Sequence, residues 1–213
     1  MPARDPLSKK PPRSRMTAAE RREQLIEVAR PVFAERGFDG ASVEEIAARA
    51  EVSKPVVYEH FGGKEGLYAV VVDREVRHLL GMMREALSGG SARVLLEQAA
   101  VALLDYIEQS SDGFRILVRD TPLGSDSGSY VSIIGDIATR VEGILVDEFK
   151  RRGFDAKAAP MYSQMLVGMV GTTGQWWLDA RKPAKEVVAA HLVNLAWNGL
   201  AGLEKKPTLR ISD

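Results

Sequence analysis

Between Lys54 and Lys64 the chain sets two ammonium groups, the Tyr58 phenol and the His60 imidazole within eleven residues, with Pro55 at the front and Gly62-Gly63 near the end. Cations of this kind neutralise phosphate, lysine also donates to acceptors on a base edge, and tyrosine offers both an apolar ring and a hydroxyl. Nothing comparable points to catalysis. His60, His78 and His191 are the only histidines and lack zincin-like spacing, no Gly-x-Ser-x-Gly occurs, and cysteine is absent. Disulfides, cysteine metal sites and thiol nucleophiles are therefore excluded. Gly63-Lys64 resembles the end of a phosphate-binding loop, but such a loop needs a glycine five residues earlier and a hydroxyl after the lysine, and Tyr58 and Glu65 stand there. Gly168-Met-Val-Gly171-Thr-Thr-Gly174 does not match a dinucleotide fingerprint. Asp105, Glu108, Asp136 and Glu142 are scattered on amphipathic stretches and read as solvated faces. Neither an enzyme nor a bound metal or cofactor is expected.

The elements that would position these groups are short helices. Thr17-Ala-Ala-Glu20 is a capping box that starts a helix at about residue 18, with Leu25, Ala29, Val32 and Phe33 as its apolar stripe and Gly37-Phe38 as its stop. Pro31 inside it predicts a kink near Glu27. Ser42-Val-Glu-Glu45 is a second capping box, opening a two-turn helix with Val43, Ile46, Ala47 and Ala50 on one face. Ser53 can cap a third helix whose first turn tolerates Pro55. Val57 and Phe61 would hold that helix to the core and leave Lys54, Pro55 and Tyr58 together on its free side. Two short helices at a tight turn, the second with a polar and basic outer face, form a helix-turn-helix, and the second is the one sized for the major groove. The plain alternative is a three-helix domain that binds nothing.

From Lys64 the pattern lengthens into helices at roughly 64–87, 92–109, 113–119, 128–152, 156–181 and 184–203, bounded by glycine and proline signals. No segment alternates as a strand. The expected fold is all α: a flexible arm (1–16), a helix-turn-helix domain (17–63) and a larger helical bundle (64–213). The 213 residues carry no net charge, yet seven basic residues against two acidic ones fall in the first 22. This basic head is either a solvated tail or an arm that neutralises phosphate. No apolar run approaches the roughly 20 residues a membrane span requires, and the first residues lack an apolar signal core. A soluble, cytoplasmic protein with no membrane partner is expected.

The string LIEVARPVFAERGFDGASVEEIAARAEVSKPVVYEHFGGKEGLYAVV resembles the DNA-binding domain of the TetR family of bacterial transcription regulators, most specifically in YEHFGGKEGLY. The resemblance implies a double-stranded DNA operator as partner. It puts Ser42, His60 and Lys64 at phosphate-contacting positions, Lys54 at a base-reading position, and Pro55 and Tyr58 against thymine methyls or the adjacent sugar and phosphate. Ser53 and Val56 complete the candidate surface, Val56 standing where many members have a small hydroxyl residue. Glu51 occupies a turn position where the family places glycine, so a left-handed backbone is expected on a residue that resists it. Beyond residue 72 the likeness is of architecture: a bundle that binds a small effector and forms a homodimer through its last two long helices.

Within that bundle Met82, Met83, Phe114, Tyr162, Met165, Met169 and Trp176 are the candidate lining of an apolar effector pocket, although methionine stripes usually form core. The expected function is a repressor released from a palindromic operator by a small apolar effector. The alternative is a DNA-binding regulator controlled by a protein partner, with no small-molecule pocket.

Overall fold

Thr17 and Glu20 cap each other at the start of α1 (Ala18–Gly40): the Thr17 hydroxyl accepts from the Glu20 amide at 3.2 Å, and the Glu20 carboxylate accepts from the Thr17 amide at 2.7 Å. The computed structural model describes residues 16–118, 130–205 and 207; the basic arm and the 121–128 loop lie outside the described residues. α1 is followed by α2 (Val43–Arg49), α3 (Lys54–Phe61), α4 (Lys64–Ala86), α5 (Ala92–Gln109), α6 (Ser111–Val118), α7 (Tyr130–Arg152), a single 3-10 turn at Ala156–Ala158, α8 (Ala159–Ala180) and α9 (Lys185–Ala201). The chain is all α, with no strand among the described residues.

Pro31 does not interrupt α1. The departure from helical dihedrals is at Gly37 (φ 72°, ψ 176°) rather than near Glu27, so the expected kink gives way to a swivel at the glycine before a last turn ending at Gly40. The second capping box is only half made. The Ser42 hydroxyl accepts from the Glu45 amide at 3.1 Å, but the Glu45 carboxylate turns away to Arg49 at 2.8 Å.

α2 stops in a Schellman motif. The Val52 amide donates to the Ala47 carbonyl at 2.9 Å and the Glu51 amide to the Ala48 carbonyl at 3.1 Å, while Val52 folds back onto the core. Glu51 takes the left-handed conformation this motif needs, at φ 55°.

The buried side chains of α1 to α3 and those of the bundle form one continuous apolar cluster. α1 packs against α4 and α6, α5 against α4 and α9, and α7 against α8. A smaller cluster of Leu145, Phe149 and Ala159 closes the far end. Gly174 allows α5 to approach α8 closely, since a Cβ there would lie 2.9 Å from Ile107 Cδ1. Asp105 and Glu108, which read as solvated, both pair with Lys185 and strap α5 to α9. No helix among the described residues is long and apolar enough to cross a membrane.

Candidate nucleic-acid interface

α3 presents one face to the core and the other outward. Val57 is fully buried and Phe61 packs on the core, with Arg22 of α1 lying over the Phe61 ring at 4.9 Å. Lys54, Pro55 and Tyr58 are exposed, Tyr58 at 48%. Lys54 and Pro55 fill the first turn, where the missing proline amide costs no hydrogen bond. Ser53 sits at the N-cap position but makes no side-chain capping bond.

The Lys54 ammonium pairs with the Glu44 carboxylate in the first turn of α2 and lies 5.8 Å from the centre of the Tyr58 ring. The hydrogen bond and charge of Glu44 hold Lys54 above the ordinary lysine range, and Lys54 holds Glu44 below the usual carboxylate range. This pair sets the start of α2, with Ser42 at its cap, beside the start of α3. The Tyr58 ring in turn lies against Gly63 at the start of α4. Ser42, Lys54 and Tyr58 thus fall along one strip that joins three helix N-termini.

Two of the expected contact residues, Lys64 and Val56, are placed otherwise. Lys64 directs its ammonium back into the protein, donating to the carbonyls of Phe38 at 2.9 Å, Ala41 at 3.2 Å and Asp39 at 3.5 Å while lying over the Phe38 ring at 4.4 Å. It closes the end of α1, whose last carbonyls lack helical partners, and is not directed at a phosphate. Val56 is half-buried and packs on the core. His60 is half-buried, its ring 6.2 Å from Phe61.

Other residues are necessary to this surface without having been singled out. Gly66 is one: a Cβ on it would lie 1.9 Å from the Phe61 carbonyl oxygen, so α4 can cross the end of α3 only at a glycine. Gln24 donates to the Ala50 carbonyl at 3.2 Å and fixes α1 on the turn. Glu44 sets the direction of Lys54. The only sequence signals were a glycine in the first turn of a helix and an acid ten residues before a lysine.

The bundle encloses an apolar cavity of about 100 Å³ between α4, α5, α7 and α8, extending to Trp197 and Leu200 of α9. Met83 and Phe114 line it as expected, together with Leu79, Leu103, Ile133 and Val170. Among the described residues, the charged side chains on its wall are Glu148 and Arg152. The rest of the expected lining is elsewhere. Met82 faces a shallow groove between α4 and α5, Tyr162 stacks edge-on to Phe149 at 5.4 Å in the smaller cluster, and Met169 packs on the core. Met165 and Trp176 are 56% and 55% exposed. α8 is apolar on two faces: Val167, Val170 and Trp177 turn inward, while Met161, Met165 and Trp176 turn outward; Val187 and Leu195 are likewise exposed on α9.

Residues 25–71 match the family described as bacterial regulatory proteins, tetR family, and residues 82–210 match the tetracyclin repressor-like C-terminal domain. The chain is 34% identical over 191 residues, 88% of its length and 86% of the relative's, to the HTH-type transcriptional activator FasR of Mycolicibacterium smegmatis. It is 27% identical over 180 residues to the HTH-type transcriptional repressor BepR of Brucella suis, covering 80% of this chain and 86% of that one. Its fold superposes with a TM-score of 0.66, at 19% identity, on the transcriptional regulator FadR from Bacillus subtilis in complex with stearoyl-CoA, covering 83% of this chain and 98% of that one.

Proposed function

The chain belongs to the TetR family of bacterial transcription regulators, and from that premise we propose that it is a repressor that leaves a palindromic operator when an elongated apolar effector enters its bundle. Residues 17–63 are the DNA-reading unit, residues 64–213 the effector and dimer unit, and residues 1–16 a basic arm that follows the phosphates. The protein acts in the cytoplasm, where its operator is.

The observation that carries the DNA reading is the strip of Ser42, Lys54 and Tyr58 on three adjoining helix N-termini. Lys54 addresses a base edge, and Pro55 and Tyr58 meet thymine methyls or the neighbouring sugar. Ser42, Ser53 and His60 set the register on phosphates, which fix position while bases fix sequence. Two copies pair through the outward apolar face of α8 and α9, where Met161, Met165, Trp176, Val187 and Leu195 otherwise lie in water. Their recognition helices then enter successive major grooves roughly 34–36 Å apart.

The cavity supports control by a small molecule over control by a protein partner. Its wall is nearly all hydrocarbon, and a slender acyl chain, with any polar end toward Arg152 and Glu148, is the effector class that suits this wall once the bundle opens beyond the space of about 100 Å³ now free. The stearoyl-CoA bound by the Bacillus subtilis neighbour is a molecule of that shape. Release follows if the effector binds one head spacing better than the other. A second reading, activation by the same DNA-bound dimer, is favoured by the name of the 34%-identical relative. Selection of bound DNA from a random pool tests the reading, and titrating stearoyl-CoA into the selected complex tests release. An enriched palindrome is expected; a pool with no enriched sequence would sink the proposal. Placing the palindrome upstream of or across a reporter promoter then distinguishes activation from repression.

A further inference from the structure

Glu75 lies where the stripe of α4 calls for an apolar residue, between Val71 and Leu79, and is 5% exposed. A carboxylate removed from water is costly unless its oxygens are occupied, and here both are. Oε2 accepts from the Tyr106 hydroxyl of α5 at 2.7 Å and from the Ser110 hydroxyl, between α5 and α6, at 3.0 Å. Oε1 faces Nη1 of Arg30, on α1, at 3.4 Å. Burial, and then the charge of Glu75, push the Tyr106 phenol well above its ordinary pKa, so it stays a proton donor. Gly113 of α6 presses on the same carboxylate, since a Cβ there would lie 2.0 Å from Oε2. On its α1 side the group borders a pocket whose other walls include Glu27, Arg74 and His78.

Its two ends face different parts of the protein. Arg30 has a second acceptor, Glu27, on its own helix at 2.7 Å and exposed to solvent. Tyr106 has a second neighbour, Phe114, edge-on with ring centres 6.2 Å apart, and Phe114 is a fully buried wall of the apolar cavity. Leu79 and Leu103, about one helical turn from Glu75 and Tyr106, line the cavity too. An unbroken chain therefore runs from the cavity through Phe114, Tyr106, Glu75 and Arg30 to α1, the first helix of the DNA-reading unit.

We propose that Glu75 is the positioning residue through which occupation of the cavity is transmitted to the DNA-reading head. Displacing Phe114 carries the Tyr106 hydroxyl off Oε2, the carboxylate turns toward the donors that remain, and Arg30 is left with Glu27 alone. α1 then loses its buried tie to α4. The two states differ in named hydrogen-bond partners, as a physical coupling element requires. The inference rests on the reading of the chain as an effector-controlled operator binder.

The test needs no known effector, because the cavity can be filled from its own wall. Ala99→Leu adds bulk at the cavity, with Ile134→Phe as a second filler should the first chain fail to fold. Each filler is made in the natural chain and in Tyr106→Phe, which keeps the ring against Phe114 and removes only the hydroxyl that Glu75 holds. Operator affinity is measured by fluorescence anisotropy at one salt concentration, and hydrogen exchange is followed at the amides around Arg30. The filler is expected to weaken operator binding about tenfold in the natural chain and less than about threefold in Tyr106→Phe, a size of coupling ordinary for linked sites. Exchange around Arg30 should quicken with the filler in the first background and not in the second. Equal filler effects in the two backgrounds, or no effect in the natural chain, overturn the relay. If no operator is selected at all, the DNA reading fails, and the exchange measurement alone decides the relay.

Discussion

Replacing Glu51 by glycine should make the protein more stable, although the substitution adds no contact. The Schellman turn between α2 and α3 holds Glu51 at φ 55°, where its Cβ crowds the following carbonyl at a cost of roughly 1–2 kcal/mol. Glycine removes that cost but gives the unfolded chain more freedom, which takes back roughly 0.5–1 kcal/mol. The net gain is centred on about 0.7 kcal/mol within a span of about 0–1.5, and the central value corresponds, for a chain of this length, to a rise in Tm of about 1–3 °C. Far-UV circular dichroism melts at a single protomer concentration measure it, the concentration being fixed because association itself stabilises. Glu51→Ala is the control, since alanine keeps the left-handed penalty while deleting the carboxylate. The reasoning predicts a gain for glycine and none for alanine. A glycine variant melting at or below the natural chain refutes the strained turn, and an equal gain from alanine would assign the effect to the charge.

Tyr58→Ala should abolish retention of the selected operator in a gel shift while the dimer still elutes as a dimer on a sizing column; undiminished retention would overturn the site. For Glu44→Gln, which frees Lys54, tighter binding to random-sequence DNA is expected, with a smaller ratio of operator to random affinity in competition anisotropy. Lys64→Gln should lower stability by about 1–3 kcal/mol through the carbonyls it leaves unpaired, readable in a denaturant melt. The slope of log Kd against log salt should stay as it was, whereas losing a phosphate contact would reduce it by about 1.

What could be read from the sequence was what depends on near neighbours. The Thr17–Glu20 cap and the Val57 and Phe61 anchor involve residues within a few positions of one another, so spacing fixes them, whereas the left-handed turn at Glu51 was legible only through the family resemblance. Lys64 shows where that ends. Its position in the string suits a phosphate, but its long stem can point several ways, and the carbonyls that capture it come from the end of α1, some 25 residues earlier. The half-made cap at Ser42 has a local origin, because Arg49, one turn on, competes for the Glu45 carboxylate. Met165 and Trp176 were misplaced because α8 is apolar on two sides, and periodicity does not say which side faces the bundle. Gly113 looked like a helix boundary, yet it lies inside α6, which begins at Ser111, to leave room for the Glu75 carboxylate. Glu75 itself could have been noticed as an acid in an apolar stripe, although its partners could not.

The Lys54–Glu44 pair also bears on how the protein finds its site. Sliding along DNA depends on sequence-independent attraction to the phosphates, and if Lys54 reads a base as proposed, Glu44 offsets that first cation of α3 until a base acceptor replaces it. Excursions along any one stretch of chromosome should therefore be brief.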